Sequence, residues 1–246
     1  MSQWIQGQVE DITWWTQKLF TLKVRAAVKP FKAGQFTKLA LQVGDKRIAR
    51  AYSFVNAPHN PVHEFYVIEV EDGLLSPPLA SLLPGDNVWI EQNPSGYFTL
   101  DEVPDSEQLW MLSTGTAIGP FLSMLRDEQL WQHYQQIVLV HGVRHNIDLS
   151  YQALLLELQQ QKANFSYIPV VSREQPKVGV AGRITKVLND GELEEYCGLI
   201  CTPEKSQFMI CGNPQMVKDT TLLLQERGFL RNRRAAPGHI TVEQYW

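Results

Sequence analysis

The sequence predicts two domains: an antiparallel β-barrel over residues 1–100, followed by an α/β domain with a doubly wound parallel sheet over residues 101–246. Three observations predict this division. Short runs of alternating apolar and polar residues fill the first part, and turn residues separate them. After the loop Asp101–Asp105, continuous apolar runs alternate with helical stretches, as buried parallel strands and crossover helices do. A chain of 246 residues is long enough for both domains.

The barrel strands are predicted from alternating segments rich in β-branched and aromatic residues. These segments are Phe20–Val24, Phe36–Ala40, Arg47–Val55, Phe65–Val70 and Val88–Ile90. Glycine, proline and asparagine turns lie between them. One short helix is predicted over Ser76–Leu83, with Ser76 as its N-cap and Pro77 at its first position.

In the second part, short apolar runs predict buried parallel strands at Leu109–Leu112, Ile137–Val140, Tyr167–Val171 and Phe208–Cys211. Helices are expected near residues 119–131, 149–162, 183–197 and 214–227. Ile240 and Val242 predict a last edge strand, which returns the chain to the cleft between the domains. A ligand of such a sheet binds at the carboxyl ends of its strands.

Composition excludes several classes of function. The chain is 44% hydrophobic and 20% charged, as soluble globular proteins are, and it has no apolar run long enough to span a membrane. Three cysteines without an export signal indicate the cytoplasm. A net charge of −4 argues against nucleic-acid binding. The paired histidines and cysteines lack the ligand patterns of zinc sites, so no metal is expected. We expect a monomer.

The segment Arg50-Ala51-Tyr52-Ser53 carries the strongest chemical signal. On a strand, Arg50 and Tyr52 project to one face, and Ala51 and Ser53 to the other. A cation, a phenol and a hydroxyl in four residues suit a ligand with phosphate, an aromatic ring and a polar ring edge, such as flavin dinucleotide. The alternative is an ordinary barrel strand with a core tyrosine and a solvated arginine.

Three segments of the second part follow strands and suit a nucleotide. Thr114–Pro120 is a glycine-containing turn that opens a helix, where exposed N–H groups favour a pyrophosphate. It lacks the G-x-G-x-x-G pattern. Cys211–Met216 places a thiol and a glycine at a strand end, where they can contact a flat ring. A buried structural cysteine before a helix-starting proline is the alternative reading of that segment.

The third segment concerns charge. A nucleotide with a 2′-phosphate needs cations and hydroxyls where an NAD enzyme places a carboxylate. Ser172, Arg173 and Arg183 supply these groups, and Arg144 adds a further anion contact. Glu174 is adjacent, and we expect its side chain to point away.

In this order, these features resemble the ferredoxin–NADP reductase family, specifically its short bacterial members, over essentially the whole chain. The matching segments are R-A-Y-S at 50–53, Tyr66-Val67-Ile68-Glu69, Gly73-Leu74-Leu75-Ser76, G-T-A-I-G-P at 115–120, V-S-R at 171–173, G-R at 182–183, C-G-N-P at 211–214 and the terminus Glu243-Gln244-Tyr245-Trp246. The family's photosynthetic members end at the tyrosine, so Trp246 is a departure.

The resemblance implies FAD in the barrel domain and NADP(H) as substrate of the α/β domain. Ferredoxin or flavodoxin is the implied one-electron carrier. The implied catalytic residues are Tyr52, Ser53, Cys211 and Glu243. The implied FAD contacts are Arg50, Ala51, Tyr52, Ser53, Tyr66, Val67, Ile68, Glu69, Leu74, Leu75, Ser76, Thr116, Tyr245 and Trp246. The implied NADP contacts are Thr116, Arg144, Ser172, Arg173, Arg183, Cys211, Gly212, Asn213, Pro214 and Met216.

Within this resemblance, Glu243 orients Ser53 or passes protons to the flavin, and Tyr245 and Trp246 stack on parts of FAD or pack on the protein. Arg231, Arg233 and Arg234 are candidate contacts for an acidic carrier. Two other functions stay open. One is an NADPH-dependent flavin, ferric or quinone reductase on the same scaffold. The other is a dinucleotide-sensing module without turnover.

Overall fold

The computed structural model describes residues 3–245. The chain divides into two units, and the division is not a single cut. The first unit takes the residues up to Leu100 together with Gly119–Glu128, and the second takes Asp101–Ile118 and the residues from Gln129 onward. The sequence predicts a single boundary at residue 100, which would place the segment 119–128 in the second domain. In the structure this segment belongs to the first unit.

The first unit contains a six-stranded antiparallel sheet with the strand order β4-β3-β6-β1-β2-β5. Its elements are β1 (Trp4–Trp14), β2 (Leu19–Arg25), β3 (Phe36–Val43), β4 (Lys46–Ser53), β5 (Val62–Ile68), α1 (Ser76–Ala80) and β6 (Asn87–Glu91). A bridge between Phe54 and Phe65 joins the chain after β4 to β5, so the edge strands meet and the sheet curls into a barrel. Fully buried Phe20, Leu22 and Ile90 fill its interior.

The longest strand, β1, is absent from the sequence prediction. Its pairing with β2 shifts register between Val9 and Asp11, which marks a β-bulge. A bulge adds one residue and breaks the period of two that reveals a half-buried strand. The apolar residues of β1 therefore do not alternate in a simple way.

The predicted cap of the short helix is wrong. Helix α1 begins at Ser76, its N-cap is Leu75, and it ends at Ala80, earlier than predicted. The Ser76 hydroxyl instead accepts a hydrogen bond of 2.9 Å from the Val70 N–H. The serine thus ties the helix to the end of β5, which is a non-local role that no capping pattern reveals.

The segment 119–128 joins the first unit through hydrogen bonds to the chain that follows β4. It contains α2 (Gly119–Leu125), all of whose residues are buried. The Ser123 hydroxyl donates to the Asn56 carbonyl at 2.7 Å. Arg126 donates to the Val55 carbonyl at 3.1 Å and pairs with Glu64 at 2.9 Å. These polar groups hold the helix on the barrel.

The second unit contains a six-stranded parallel sheet with the order β10-β9-β8-β7-β11-β12. Its strands are β7 (Gln108–Thr114), β8 (Gln136–Val143), β9 (Phe165–Val171), β10 (Val180–Ala181), β11 (Ser206–Gly212) and β12 (Ile240–Gln244). Its helices are α3 (Glu128–His133, whose first residue belongs to the first unit), α4 (Gln152–Gln161), α5 (Ile184–Asn189), α6 (Glu192–Cys197) and α7 (Pro214–Glu226). The predicted parallel strands and the edge strand β12 are confirmed.

Two of the four predicted helices are each divided. The stretch 119–131 forms α2 and α3, and the stretch 183–197 forms α5 and α6. Gly191 causes the second break because its φ of 79° lies in the left-handed region, which interrupts an α-helix. The predicted combination of antiparallel barrel and doubly wound sheet is confirmed. No helix within residues 3–245 combines the length and apolar character needed to cross a membrane.

Candidate functional site

The segment Arg50–Ser53 lies at the end of edge strand β4 in the first unit. The Arg50 side chain is exposed and donates to the carbonyl of neighbouring Ala49 at 2.7 Å, and no carboxylate within residues 3–245 pairs with it. Tyr52 is half-buried, and burial raises its pKa to about 12 against a smaller opposing effect of the Arg50 charge. Ser53 is buried, and Ala51 is exposed. A free cation and a neutral phenol therefore lie close together on one strand.

The second flavin-type segment lies on the opposite edge strand. Tyr66 and Val67 are buried in β5, Ile68 is exposed at its last position, and Glu69 follows it. Leu74 is 58% exposed just before the helix, whereas Leu75 and Ser76 are buried. Exposed aliphatic side chains beside a turn offer an apolar surface to a ring.

The carboxyl edge of the parallel sheet in the second unit collects most other predicted residues. After β7 the chain makes a 3₁₀ turn at Gly115–Ile118, and Gly115 has a φ of 56°. Thr116 is 4% exposed and residues 117–120 are buried as well. Within this segment, only Thr114 and Gly115 are partly exposed, and a pyrophosphate contact at this turn stays a prediction.

The end of β11 adjoins that turn. The Asn213 N–H donates to the Thr114 hydroxyl at 2.9 Å, and the Asn213 side chain caps α7 by accepting from the N–H groups of Gln215 and Met216. Gly212 has a φ of 146°, and a Cβ there would lie 2.1 Å from Thr114 Oγ1. Pro214 opens α7, and Met216 is half-buried beside Gly212. Only glycine permits this approach of the two strand ends.

Cys211 and Glu243 occupy facing positions on β11 and β12. Cys211 is fully buried, and burial together with the nearby Glu243 raises the pKa of its thiol. Burial also raises the pKa of Glu243 to about 7, and its Oε2 is buried without a hydrogen-bond partner in the described chain. The Tyr245 N–H donates to the Gly212 carbonyl at 3.0 Å. Trp246 lies outside the described residues.

His141 is a member of this cluster that sequence reasoning missed as a site residue. It faces Ser113 across β7 and β8, is fully buried, and has Nε2 3.0 Å from the Gly115 carbonyl. Burial lowers its pKa to about 4, so the ring is neutral at pH 7 and donates through Nε2. We call Thr114, His141, Cys211, Gly212 and Glu243 the buried end of the sheet edge.

The other end of the same edge is cationic. Arg144 follows β8, Ser172 and Arg173 follow β9, and Arg183 follows β10; all four side chains are exposed. The Arg173 N–H donates to the Arg144 carbonyl at 3.0 Å, and the Ser172 hydroxyl donates to the Val143 carbonyl at 3.1 Å. We call Arg144, Ser172, Arg173 and Arg183 the arginine corner.

The arginine corner is held together by backbone pairing. Strand β10 pairs with β9, and the Gly182 N–H donates to the Val171 carbonyl at 2.8 Å. Arg183 is thereby brought next to the Ser172 segment, although it lies ten positions after Arg173 in the chain. The predicted residues therefore follow neighbouring strands, and their contact with a 2′-phosphate stays a prediction.

The residues fit a flavin dinucleotide and a phosphorylated nicotinamide dinucleotide. Arg50 is a cation without an acidic partner among the described residues, as a phosphate contact requires. The arginine corner offers several such cations, and Glu243 carries a buried carboxyl oxygen that still lacks a partner. No group of three or more potential ligands within the described part of the chain could hold a metal ion.

Comparison with known proteins identifies similar chains. The family model described as "Oxidoreductase NAD-binding domain" matches residues 111–221. The flavodoxin/ferredoxin–NADP reductases of Shigella flexneri and Escherichia coli are 49% and 48% identical, each over the full length of both chains. The crystal structure of a ferredoxin NADP⁺ reductase from Neisseria gonorrhoeae with bound FAD and NADP is 32% identical and superimposes with a TM-score of 0.95 over 100% of both chains.

Proposed function

We propose that this chain, which belongs to the flavodoxin/ferredoxin–NADP reductase family, is an FAD enzyme that exchanges a hydride with NADP(H) and single electrons with ferredoxin or flavodoxin. The observation that carries the proposal is the carboxyl edge of the parallel sheet. At its buried end, the Glu243 carboxyl has a pKa of about 7, which suits proton transfer. At its other end, the arginine corner suits the binding of a phosphate.

The first unit, residues 1–100 with the helix α2, holds FAD. Arg50 binds its pyrophosphate, Tyr52 covers one face of its ring, and Ser53 donates a hydrogen bond near the reactive nitrogen. Tyr66–Glu69 and Leu74–Ser76 line the rest of the dinucleotide. When bound, FAD takes up two electrons with a hydride and gives them up one at a time.

The second unit holds NADP(H). The arginine corner binds the 2′-phosphate, because its guanidinium and hydroxyl groups form charge-assisted hydrogen bonds with phosphate oxygens. Thr116 and Cys211–Met216 line the nicotinamide. The buried end excludes water from the ring, and Gly212 allows close approach of the backbone. The flavin contacts that the family resemblance implies for Tyr245 and Trp246 stay a prediction.

Glu243 handles a proton of the reaction. A carboxyl group with a pKa of about 7 can release and accept a proton near neutral pH, as an acid–base group requires. The neutral imidazole of His141 holds the Gly115 carbonyl and adds no charge to this site.

The carrier is an acidic protein, ferredoxin or flavodoxin, and we propose that the enzyme works as a cytoplasmic monomer. Arg231, Arg233 and Arg234 are exposed on a tight turn closed by the Arg233–Ala236 bridge. Arg234 pairs with Glu102 at 2.7 Å, so part of its charge is already balanced. Arg231 and Arg233 are the stronger candidates for contact with the carrier.

The test uses the purified holoprotein. We expect about one noncovalently bound FAD per chain, loss of flavin absorbance on anaerobic addition of NADPH, and steady turnover with ferredoxin or flavodoxin. Faster turnover with free flavin, ferric ion or quinone would assign the enzyme to those acceptors instead. Flavin reduction without turnover of any acceptor would indicate a sensor, and a chain that cannot be reconstituted with FAD would refute the proposal.

Arg50→Ala tests the flavin site directly. Removal of a charge-assisted hydrogen bond of roughly 1.5–3 kcal/mol should weaken FAD binding about tenfold or more. Lys46→Ala is the matched control, because Lys46 is an exposed cation on the same strand. Equal FAD dissociation constants for the two variants would remove Arg50 from the site.

A further inference from the structure

One carboxylate lies next to the arginine corner in the chain and would oppose the proposed ligand if it turned toward the corner. Glu174 directly follows Arg173 and is exposed. Hydrogen bonds from the Asn146 backbone and side chain lower its pKa, so it is ionised at neutral pH. A free carboxylate here would repel a phosphate and compete with it for the guanidinium groups. The fold must therefore restrain Glu174 if the corner is to bind an anion.

Asn146 supplies that restraint from the loop after β8. Its backbone N–H and its Nδ2 both donate to Glu174 Oε1, the latter at 2.7 Å. His145 Nδ1 lies 3.7 Å from the other oxygen, Oε2. The carboxylate thus faces residues 145 and 146, and its Oε1 accepts both hydrogen bonds from Asn146.

The same asparagine also holds the chain beyond Glu174. Its Nδ2 donates to the Gln175 carbonyl at 3.0 Å, and its Oδ1 accepts from the Lys177 N–H at 2.9 Å. The hydrogen bond from the Arg173 N–H to the Arg144 carbonyl also joins these two loops, one residue before Glu174. Asn146 therefore links residues 174–177 to the loop after β8. Its side-chain amide does this through both its Nδ2 and its Oδ1.

We propose that Asn146 is a specificity-positioning residue, which holds the Glu174 carboxylate away from the arginine corner so that its cations stay available to a 2′-phosphate. This inference rests on the proposed function, since it names what sets the preference for NADPH at the same site. The proposal requires no contact between Asn146 and the nucleotide.

The experiment compares four holoenzyme variants: Asn146→Ala, Glu174→Gln, the double variant, and Asn164→Ala. Asn164 is the matched control, because its Nδ2 also donates to a carbonyl, that of Tyr134 at 3.0 Å, but near the amino ends of the strands. For each variant, KM and kcat are measured with NADPH and with NADH. Binding of adenosine 2′-monophosphate is measured by calorimetry, which needs no turnover.

We expect Asn146→Ala to raise the KM for NADPH about threefold to tenfold and to weaken 2′-monophosphate binding equally, with kcat and the KM for NADH nearly unchanged. The double variant should return to the parent values, because the released glutamine side chain at position 174 carries no charge. Glu174→Gln alone and Asn164→Ala should leave the KM for NADPH unchanged or lower it.

Unchanged NADPH and 2′-monophosphate affinities in Asn146→Ala would overturn the inference. Equal losses for NADPH and NADH would do so too, because they would show a general effect on the loops. A double variant as weak as Asn146→Ala would show that the carboxylate is not the cause. Failure of the proposed function looks different: the parent enzyme would then not oxidise NADPH, whatever its variants do.

Discussion

The two ends of one sheet edge in the second unit differ in burial, and the proposed function uses each end for a different purpose. At the buried end, Cys211 and His141 are fully enclosed, and burial shifts the pKa of each toward its neutral form. At the arginine corner, the guanidinium groups are exposed to solvent. Burial shifts pKa values and excludes water, whereas exposed guanidinium groups are accessible to an anion from solution. Substitutions at the buried end should therefore affect the chemical step, and those at the corner should affect binding.

Gly212→Ala should have the largest effect. Its Cβ would overlap Thr114 Oγ1 at 2.1 Å, and its φ of 146° is unfavourable for any side chain. Strain and overpacking together should cost about 2–4 kcal/mol of stability. Displacement of the strand end should slow hydride transfer roughly a hundredfold. Stopped-flow flavin reduction and thermal unfolding measure the two effects.

Gly191→Ala is the control for this substitution, since Gly191 also has a positive φ but nothing lies within 4 Å of its Cβ position. That variant should lose some stability and keep its rate of hydride transfer. If both variants slowed the reaction alike, the close approach of the two strand ends would not matter to the chemistry.

The double variant Arg173→Ala with Arg183→Ala should have the second largest effect. Loss of two charge-assisted contacts of roughly 1.5–3 kcal/mol each should raise the KM for NADPH by about two orders of magnitude or more. The KM for NADH and kcat at saturation should barely change. Lys218→Ala, which removes an exposed cation from α7, serves as the control. Equal losses for the two cofactors would show that the corner does not bind the 2′-phosphate.

Glu243→Gln should change how stability depends on pH. Burial raises the pKa of Glu243 from 4.5 to about 7, so between these values the folded protein holds a proton that the unfolded chain has released. Stability should therefore fall as pH rises from about 5 to about 8, by up to about 3 kcal/mol. Urea unfolding at several pH values should show that fall in the parent and a smaller one in the variant.

Glu174→Gln is the comparison here, because hydrogen bonds lower the pKa of Glu174 and burial does not raise it to neutrality. Its pH profile between about 5 and 8 should match that of the parent. A Glu243→Gln profile identical to the parent profile would mean that this carboxyl is not the group that titrates.

Added salt should have the smallest effect and should separate the two ends without any substitution. Between roughly 0.05 and 0.5 M salt, screening of the exposed cations should raise the KM for NADPH severalfold. The rate of flavin reduction at saturating NADPH should stay constant, because buried groups are screened much less. A change in that rate with a constant KM would reverse the assignment of the two ends.

The parallel sheet and the arginine corner were predictable from the sequence, because continuous apolar runs and residues at strand ends are local signals. Strand β1 was not, since its bulge near Val9 hides the alternation. The attachment of α2 to the first unit rests on Ser123 and Arg126 reaching carbonyls far along the chain, which no local pattern encodes. The roles of His141 and Asn146 were not predicted for the same reason, because each hydrogen-bonds a partner far along the chain.

The bond between Thr114 and Asn213 has a consequence for folding. Ninety-nine positions separate its partners along the chain, and β7 pairs directly with β11. Bringing such distant segments together loses chain entropy before any stabilising contact forms. Contacts between residues far apart in the sequence therefore slow folding. The contact between these two strand ends should form late in refolding, after the more local β7–β8 pairing. Pulse-labelled hydrogen exchange during refolding should find the Asn213 amide protected later than the amides of β8.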